Sequence, residues 1–249
     1  AADVGYDRVG LRLLRVTDNT PGYPLHQDPA ALRAARAALD DTGITVNDIE
    51  FVRLTPDFEA ESLKPFLNAG AGLGARHVIC APYDPDLLRM SDNLAALHAL
   101  ALPFGLSCVL EFFPWTNVPD LQSARAAVER TGAGDIGILV DTLHFDRSGS
   151  SLADLESLPA SRLPFLHLCD AKVAPPYSTE DLLHAGRAER LVPGEGQIDL
   201  KSILARLPAG LPIALEVPMT RLRAQYGNFY IASRVLKAAR QLLVSSGRL

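Results

Sequence analysis

The sequence predicts an α/β protein built as a parallel (β/α)8 barrel, and three observations support this fold class. Short apolar strand patterns alternate with amphipathic helix patterns along the chain, and repeated βα units imply a parallel sheet. In four strand patterns a short apolar run ends on an acidic or imidazole side chain, as in parallel barrels that place ligands at their C-terminal rim. The length of 249 residues suits one barrel, so we expect a single domain over residues 1–249.

The strand patterns are short apolar runs separated by stretches of helical periodicity. They cover residues 8–14, 49–54, 77–81, 108–113, 136–142, 165–170 and 212–217. The helix patterns cover residues 29–41, 85–102, 119–131 and 228–245, and three of them begin with proline, which suits a first helical turn. The longer segments 141–151 and 172–197 follow strands, where βα loops usually carry function.

The sequence has seven strand patterns, whereas a closed barrel of this kind has eight. Residues 1–5 resemble the end of a helix. We therefore expect the first strand, with most of its helix, to lie outside this sequence. A doubly wound open sheet is the rival fold, but no GxGxxG motif follows the first visible strand pattern.

Composition excludes several classes of partner. The formal net charge is −5 and no Lys/Arg-rich run occurs, which argues against binding to nucleic acid. No apolar run approaches the ~20 residues that cross a bilayer, and no signal peptide is visible at the N-terminus, so we expect a cytoplasmic protein. The three cysteines, Cys80, Cys108 and Cys169, lie in apolar runs and are interpreted as reduced, buried thiols.

Four strand-ending side chains are candidate ligands of one metal ion: Glu111, Asp141, His167 and Glu216. Side chains alternate along a strand, so each ligand shares its face with an apolar residue two positions earlier. Three carboxylates and one imidazole suit a hard divalent ion, and we favour Mn²⁺, with Mg²⁺, Co²⁺ and Zn²⁺ as alternatives. The competing interpretation is four solvated strand ends with no shared site.

The spacing of the ligands also suggests a reaction. Glu111 and Glu216 come from strands three apart, so they should face each other across the mouth of the barrel. A divalent cation that polarises a carbonyl makes the neighbouring C–H more acidic. One glutamate could then remove that proton and the other could return one from the opposite face, which would invert the carbon.

Four short motifs resemble the sugar phosphate isomerase/epimerase family, the xylose isomerase-like TIM-barrel group. They are D-x-x-H at 141–144, H-L-C-D at 167–170, R-L-V-P-G-E-G at 190–196 and L-E-V at 215–217. The resemblance implies a TIM barrel over nearly the whole chain. It also implies that Glu111, Asp141, His167 and Glu216 bind the metal, and that Glu111 and Glu216 form the acid/base pair.

The resemblance further implies that His144 and Arg190 bind substrate. Each also has a purely structural interpretation: His144 could cap the strand, and Arg190 could be a surface arginine. Trp115, the single tryptophan, could form an apolar wall for a sugar or simply pack in the core. Asp170 could orient a metal ligand.

We therefore expect a metal-dependent isomerase or epimerase of a sugar, keto-sugar or related polyol. A dehydratase or lyase of a keto-polyol, similar to inosose dehydratase, is the first alternative, because the initial proton abstraction is shared. A non-catalytic binding relative is the second. An endonuclease IV-like nuclease is disfavoured, since the strand at 77–81 ends without the histidine that its zinc site needs. The expected partner is a small carbohydrate or polyol, and formation of a homo-oligomer is left open.

Overall fold

Strands and helices alternate in the computed structural model of the protein, which describes residues 1–17 and 22–248. In these ranges the strands are β1 (Arg8–Arg12), β2 (Thr45–Leu54), β3 (His77–Pro82), β4 (Ser107–Glu111), β5 (Gly137–Asp141), β6 (Leu166–Leu168) and β7 (Ile213–Leu215). The α-helices are α1 (Pro29–Thr42), α2 (Lys64–Gly72), α3 (Leu87–Ala101), α4 (Leu121–Arg130), α5 (Thr142–Ser148), α6 (Leu152–Ser157), α7 (Thr179–Arg187), α8 (Leu200–Arg206) and α9 (Thr220–Ser245). The order of strands in the sheet follows their order in the chain, from β1 to β7.

One compact unit comprises Ala1–Glu111 and Arg125–Ile138. Its strands β1 to β4 pair in parallel, each with the next in the chain. Helix α1 begins where the Asp28 carboxylate accepts hydrogen bonds from the amides of Ala30 and Ala31, with Pro29 in the first turn. The interior is apolar, and its fully buried side chains include Ile49, Leu54, Phe66, Ile79, Met90 and Leu94.

The other compact unit comprises Phe112–Ala124 and Leu139–Leu249. Strand β6 pairs in parallel with the end of β5 on one side and with β7 on the other. Part of its core is a cluster of Val192, Met219 and Val235, against which apolar residues of β7 and α9 pack. Helix α9 is interrupted at Gly227, whose φ of 79° and ψ of 171° are not helical.

The seven predicted strands all occur, with ends shifted by a few residues. Two predicted loops are wrong in part, because residues 141–151 contain α5 and residues 172–197 contain α7. The signal for α7 was the Ser178 to Asp181 spacing of a capping box, and both of its reciprocal hydrogen bonds are present. The single domain over residues 1–249 and a missing first strand stay predictions.

The three cysteines, Cys80, Cys108 and Cys169, are free and buried, as predicted. Among the helices of the described residues, none combines the length and apolar character that a membrane span requires.

Candidate metal centre

The D-x-x-H motif is a helix start. Asp141 ends β5 and is the N-cap residue of α5, where its Oδ1 accepts hydrogen bonds from the amides of Leu143 at 2.7 Å and His144 at 3.2 Å. An N-cap carboxylate satisfies amides that have no partner within the helix. The cap fixes the position of His144 relative to Asp141, and it leaves the second carboxylate oxygen, Oδ2, for other contacts.

Four side chains each offer one ligand atom, and these atoms all lie within 4.8 Å of one another. They belong to Glu111, Asp141, His167 and Glu216. The first three side chains are buried, while Glu216 is partly exposed. Three carboxylate oxygens and one imidazole nitrogen form a donor set that fits Mn²⁺, Mg²⁺, Co²⁺ or Zn²⁺. The predicted ligand set is therefore brought together, and its occupation by a metal is a proposal.

A buried arginine joins two of these ligands. Arg190 Nη1 lies 2.5 Å from Asp141 Oδ2, and Arg190 Nη2 lies 3.0 Å from Glu216 Oε2. Nη1 also donates to the backbone carbonyl of Glu216 at 3.0 Å, and Nη2 donates to that of Gly186 at 3.2 Å. His167 Nδ1 completes the group at 3.3 Å from Glu216 Oε2. A fixed cation thus holds two carboxylates that would otherwise repel each other.

Burial and these charges set the protonation of three neighbouring groups. Burial opposes the charge on Arg190, but the carboxylates of Asp141 and Glu216 outweigh it and raise the pKa of the guanidinium. Burial lowers the pKa of His144 to about 4, despite the opposing charge of Asp141. Burial likewise raises the pKa of Cys169 to about 12. At neutral pH the site therefore contains a charged arginine, a neutral His144 and a neutral thiol.

An aromatic group lies beside the D-x-x-H helix. The ring of Trp115 is 5.1 Å from that of Phe113 and 5.2 Å from that of His144, centroid to centroid. Phe113 and His144 also meet edge to face, with their centroids 4.8 Å apart. Helix α7 packs against this group at Gly186, where a Cβ would lie 3.0 Å from Trp115 Cη2. Trp115 therefore packs and remains partly exposed, which is compatible with either of its predicted roles.

The predicted substrate-binding residues lie close to the candidate ligands, although two of them are deeply buried. His144 is 2% exposed and Arg190 is 3% exposed. Arg190 is not a surface arginine, because its guanidinium pairs with Asp141 and Glu216. Sequence reasoning did not predict these ion pairs. No sequence signal marks them, since the three residues lie on separate segments.

The chain is similar in sequence to a known family and to several of its members. A sequence model of the family described as "xylose isomerase-like TIM barrel" matches residues 1–237. Inosose isomerase from Halalkalibacterium halodurans is 33% identical over 116 residues, which cover 46% of this chain and 39% of that protein. Inosose isomerase from Bacillus licheniformis is 26% identical over 157 residues, which cover 59% and 54% respectively.

A third relative, 3-dehydroshikimate dehydratase from Pseudomonas aeruginosa, is 29% identical over 138 residues, which cover 54% of this chain and 21% of that protein. The matches thus span about half or less of the length of these three relatives.

Two solved structures share the fold. The IOLI protein with a zinc atom gives a TM-score of 0.75 at 20% identity, over 98% of this chain and 89% of that one. D-psicose 3-epimerase in the presence of D-fructose gives a TM-score of 0.73 at 15% identity, over 99% and 91%. At these identities the likeness shows the fold alone, and with the family match it confirms the predicted fold class.

Proposed function

Because the chain belongs to the xylose isomerase-like TIM-barrel family, we propose that it is a divalent-metal-dependent isomerase or epimerase of a sugar, keto-sugar or related polyol. The observation that carries this proposal is the convergence of Glu111, Asp141, His167 and Glu216 within 4.8 Å. Two inosose isomerases among the relatives support the reaction class and the kind of substrate. Likeness of fold by itself would not support a reaction class, since one fold hosts many chemistries.

The proposed ligands are these four side chains, and Mn²⁺ is the favoured ion because carboxylate oxygens dominate the set. When bound, a divalent cation supplies a Lewis acid that makes the C–H next to a substrate carbonyl more acidic.

Two glutamates are proposed to move the proton. Glu216 is the most exposed of the four ligands, with 30% of its side chain accessible, so a substrate can approach it. Arg190 Nη2 lies 3.0 Å from its Oε2, and we propose that this ion pair orients the carboxylate for proton transfer. Glu111 is buried and is proposed to return a proton to the opposite face of the carbon.

Three further side chains are proposed to bind the substrate. Trp115 offers a partly exposed ring on which the C–H face of a sugar can rest. The neutral imidazole of His144 can exchange a hydrogen bond with a hydroxyl, since its pKa of about 4 leaves it uncharged. Arg190 Nε is buried and makes no hydrogen bond among the described residues, and we propose that a bound substrate provides its acceptor.

A dehydratase is the second candidate function, and one observation favours it. The relative from Pseudomonas aeruginosa is named 3-dehydroshikimate dehydratase and is 29% identical over 138 residues. Removal of water from a keto-polyol begins with the same proton abstraction, so the same residues serve both reactions. The two functions differ in whether a β-hydroxyl leaves after that step.

The test is a panel of ketoses, keto-inositols and their phosphates, incubated with the Mn²⁺-loaded protein in D₂O and followed by NMR. Deuterium incorporation into a substrate or isomer of unchanged formula supports the isomerase or epimerase, while loss of water supports the dehydratase. Glu216→Gln should abolish either signal. Glu195→Gln, which alters an exposed ion pair with Arg234, should leave it intact. No exchange with any member of the panel would contradict both functions.

A further inference from the structure

The buried carboxylate of Asp170 accepts hydrogen bonds from four backbone amides. Its Oδ1 accepts hydrogen bonds from the amides of Ala171 at 2.8 Å and Ile198 at 3.1 Å. Its Oδ2 accepts from Gly194 and Gly196, each at 2.9 Å. The residue is 1% exposed, so the four amides take the place of water around the charge. These contacts join Asp170 to the R-x-x-P-G-x-G turn, and its suggested role in orienting a metal ligand stays a prediction.

Two glycines of this turn allow its backbone to approach the Asp170 carboxylate closely. A Cβ at Gly196 would lie 2.2 Å from Asp170 Oδ1 and 2.6 Å from the carbonyl oxygen of Ala171. Gly194 has a φ of +88°, which side chains rarely adopt. Both amides can therefore point at one carboxylate oxygen only because these positions lack side chains. The two glycines of the motif thus have a structural partner outside the motif.

The same turn carries Arg190 at its start. Leu191, the next residue, forms two backbone hydrogen bonds with Asp170, at 3.0 and 2.7 Å. The amide of Arg190 donates to the carbonyl of Pro218 at 2.8 Å. The backbone of this segment is thus tied to Asp170 on both sides of Pro193, while its first side chain reaches Asp141 and Glu216.

We infer that Asp170 is a positioning residue, which holds the turn so that the Arg190 guanidinium stays on the carboxylates of Asp141 and Glu216. Four amides on one carboxylate give a rigid anchor, because each charge-assisted hydrogen bond is stronger than a neutral one. Asparagine at this position has one acceptor oxygen, and its NH₂ group would face two amide donors. That this anchor supports a metal centre rests on the proposed function.

The experiment is nitrogen-15 NMR of the arginine guanidinium groups in the intact protein. Arg190 should give resolved N–H signals that exchange slowly with water, because two ion pairs restrict it, and Arg190→Met assigns these signals by removing them. In Asp170→Asn we expect the signals to broaden or to collapse to those of an exposed arginine. Asp199→Asn is the control, since that carboxylate caps α8 through the amide of Ser202, and it should change nothing.

Unchanged Arg190 signals in a folded Asp170→Asn protein would overturn the inference, because Asp170 would then stabilise the turn without positioning the arginine. If Asp170→Asn fails to fold, Gly196→Ser, which crowds the same carboxylate, is measured in its place with the same criterion. Titration of the parent with Co²⁺ is a separate test. A parent that binds no Co²⁺ contradicts the proposed function, whereas the guanidinium signals still decide the role of Asp170.

Discussion

Replacement of Arg190 by methionine should destabilise the protein strongly in the absence of metal. The guanidinium lies 2.5 Å from Asp141 Oδ2 and 3.0 Å from Glu216 Oε2, and the side chains of Arg190 and Asp141 are 2% and 0% exposed. Removing one partner of a buried ion pair leaves the other charge without compensation, which costs about 3–5 kcal/mol. We expect a loss near the upper end of that range, since two carboxylates lose the same cation.

The measurement is chemical denaturation with a chelator present, comparing the free energy of unfolding of Arg190→Met with that of the parent. Arg234→Met is the matched control. Arg234 pairs with Glu195 at 2.7 Å, but both side chains are more than a third exposed, so its loss should cost less than about 1 kcal/mol. Mn²⁺ should stabilise Arg190→Met more than the parent, because a divalent ion can replace the lost cation. A loss below about 1 kcal/mol for Arg190→Met would refute this reasoning.

Two further predictions concern other parts of the chain. Burial, together with two nearby arginines, lowers the pKa of His77 from 6.5 to about 4, so the folded state resists protonation that the unfolded state accepts. Stability should therefore fall as the pH drops from about 6.5 towards 4. Between pH 7 and pH 5 the loss of unfolding free energy, measured by denaturation, should be about 1–2 kcal/mol smaller in His77→Gln than in the parent. An equal loss in both proteins would contradict a lowered pKa of His77. Gly196→Ala should lower the free energy of unfolding by about 1–3 kcal/mol, because its Cβ would overlap the Asp170 carboxylate. Gly134→Ala, with nothing within 4 Å of the added Cβ, should change it by less than about 1 kcal/mol, and equal effects at the two glycines would argue against the crowding.

The fold and the four candidate ligands could be predicted from the sequence because both depend on local patterns. A buried parallel strand is a short apolar run, and the residue that ends it lies at the edge of the sheet where its neighbours also end. Asp141 and Glu216 could therefore be placed without knowledge of any long-range contact. Family resemblance added the pairing of His144 with Asp141, and the structure gives its physical basis in the N-cap of α5.

The arrangement around the ligands could not be predicted, because it depends on contacts between distant segments. Arg190 is 49 residues from Asp141 in the chain, and no periodicity connects them. The amides that bind Asp170 come from residues up to 28 positions away. Helix α7 was missed for a different reason: its capping box is a local signal, but none of the residues of the helix is buried, so no run of core residues marks it.

The metal content of the purified protein tests the central claim most directly. Mass spectrometry should find about one divalent ion per chain in the parent after loading with Mn²⁺ and removal of excess ion. Glu216→Gln should retain substantially less, because loss of one ligand weakens a site built from four side chains. Glu195→Gln should match the parent. A parent without bound metal, or a Glu216→Gln variant with unchanged metal content, would contradict the account.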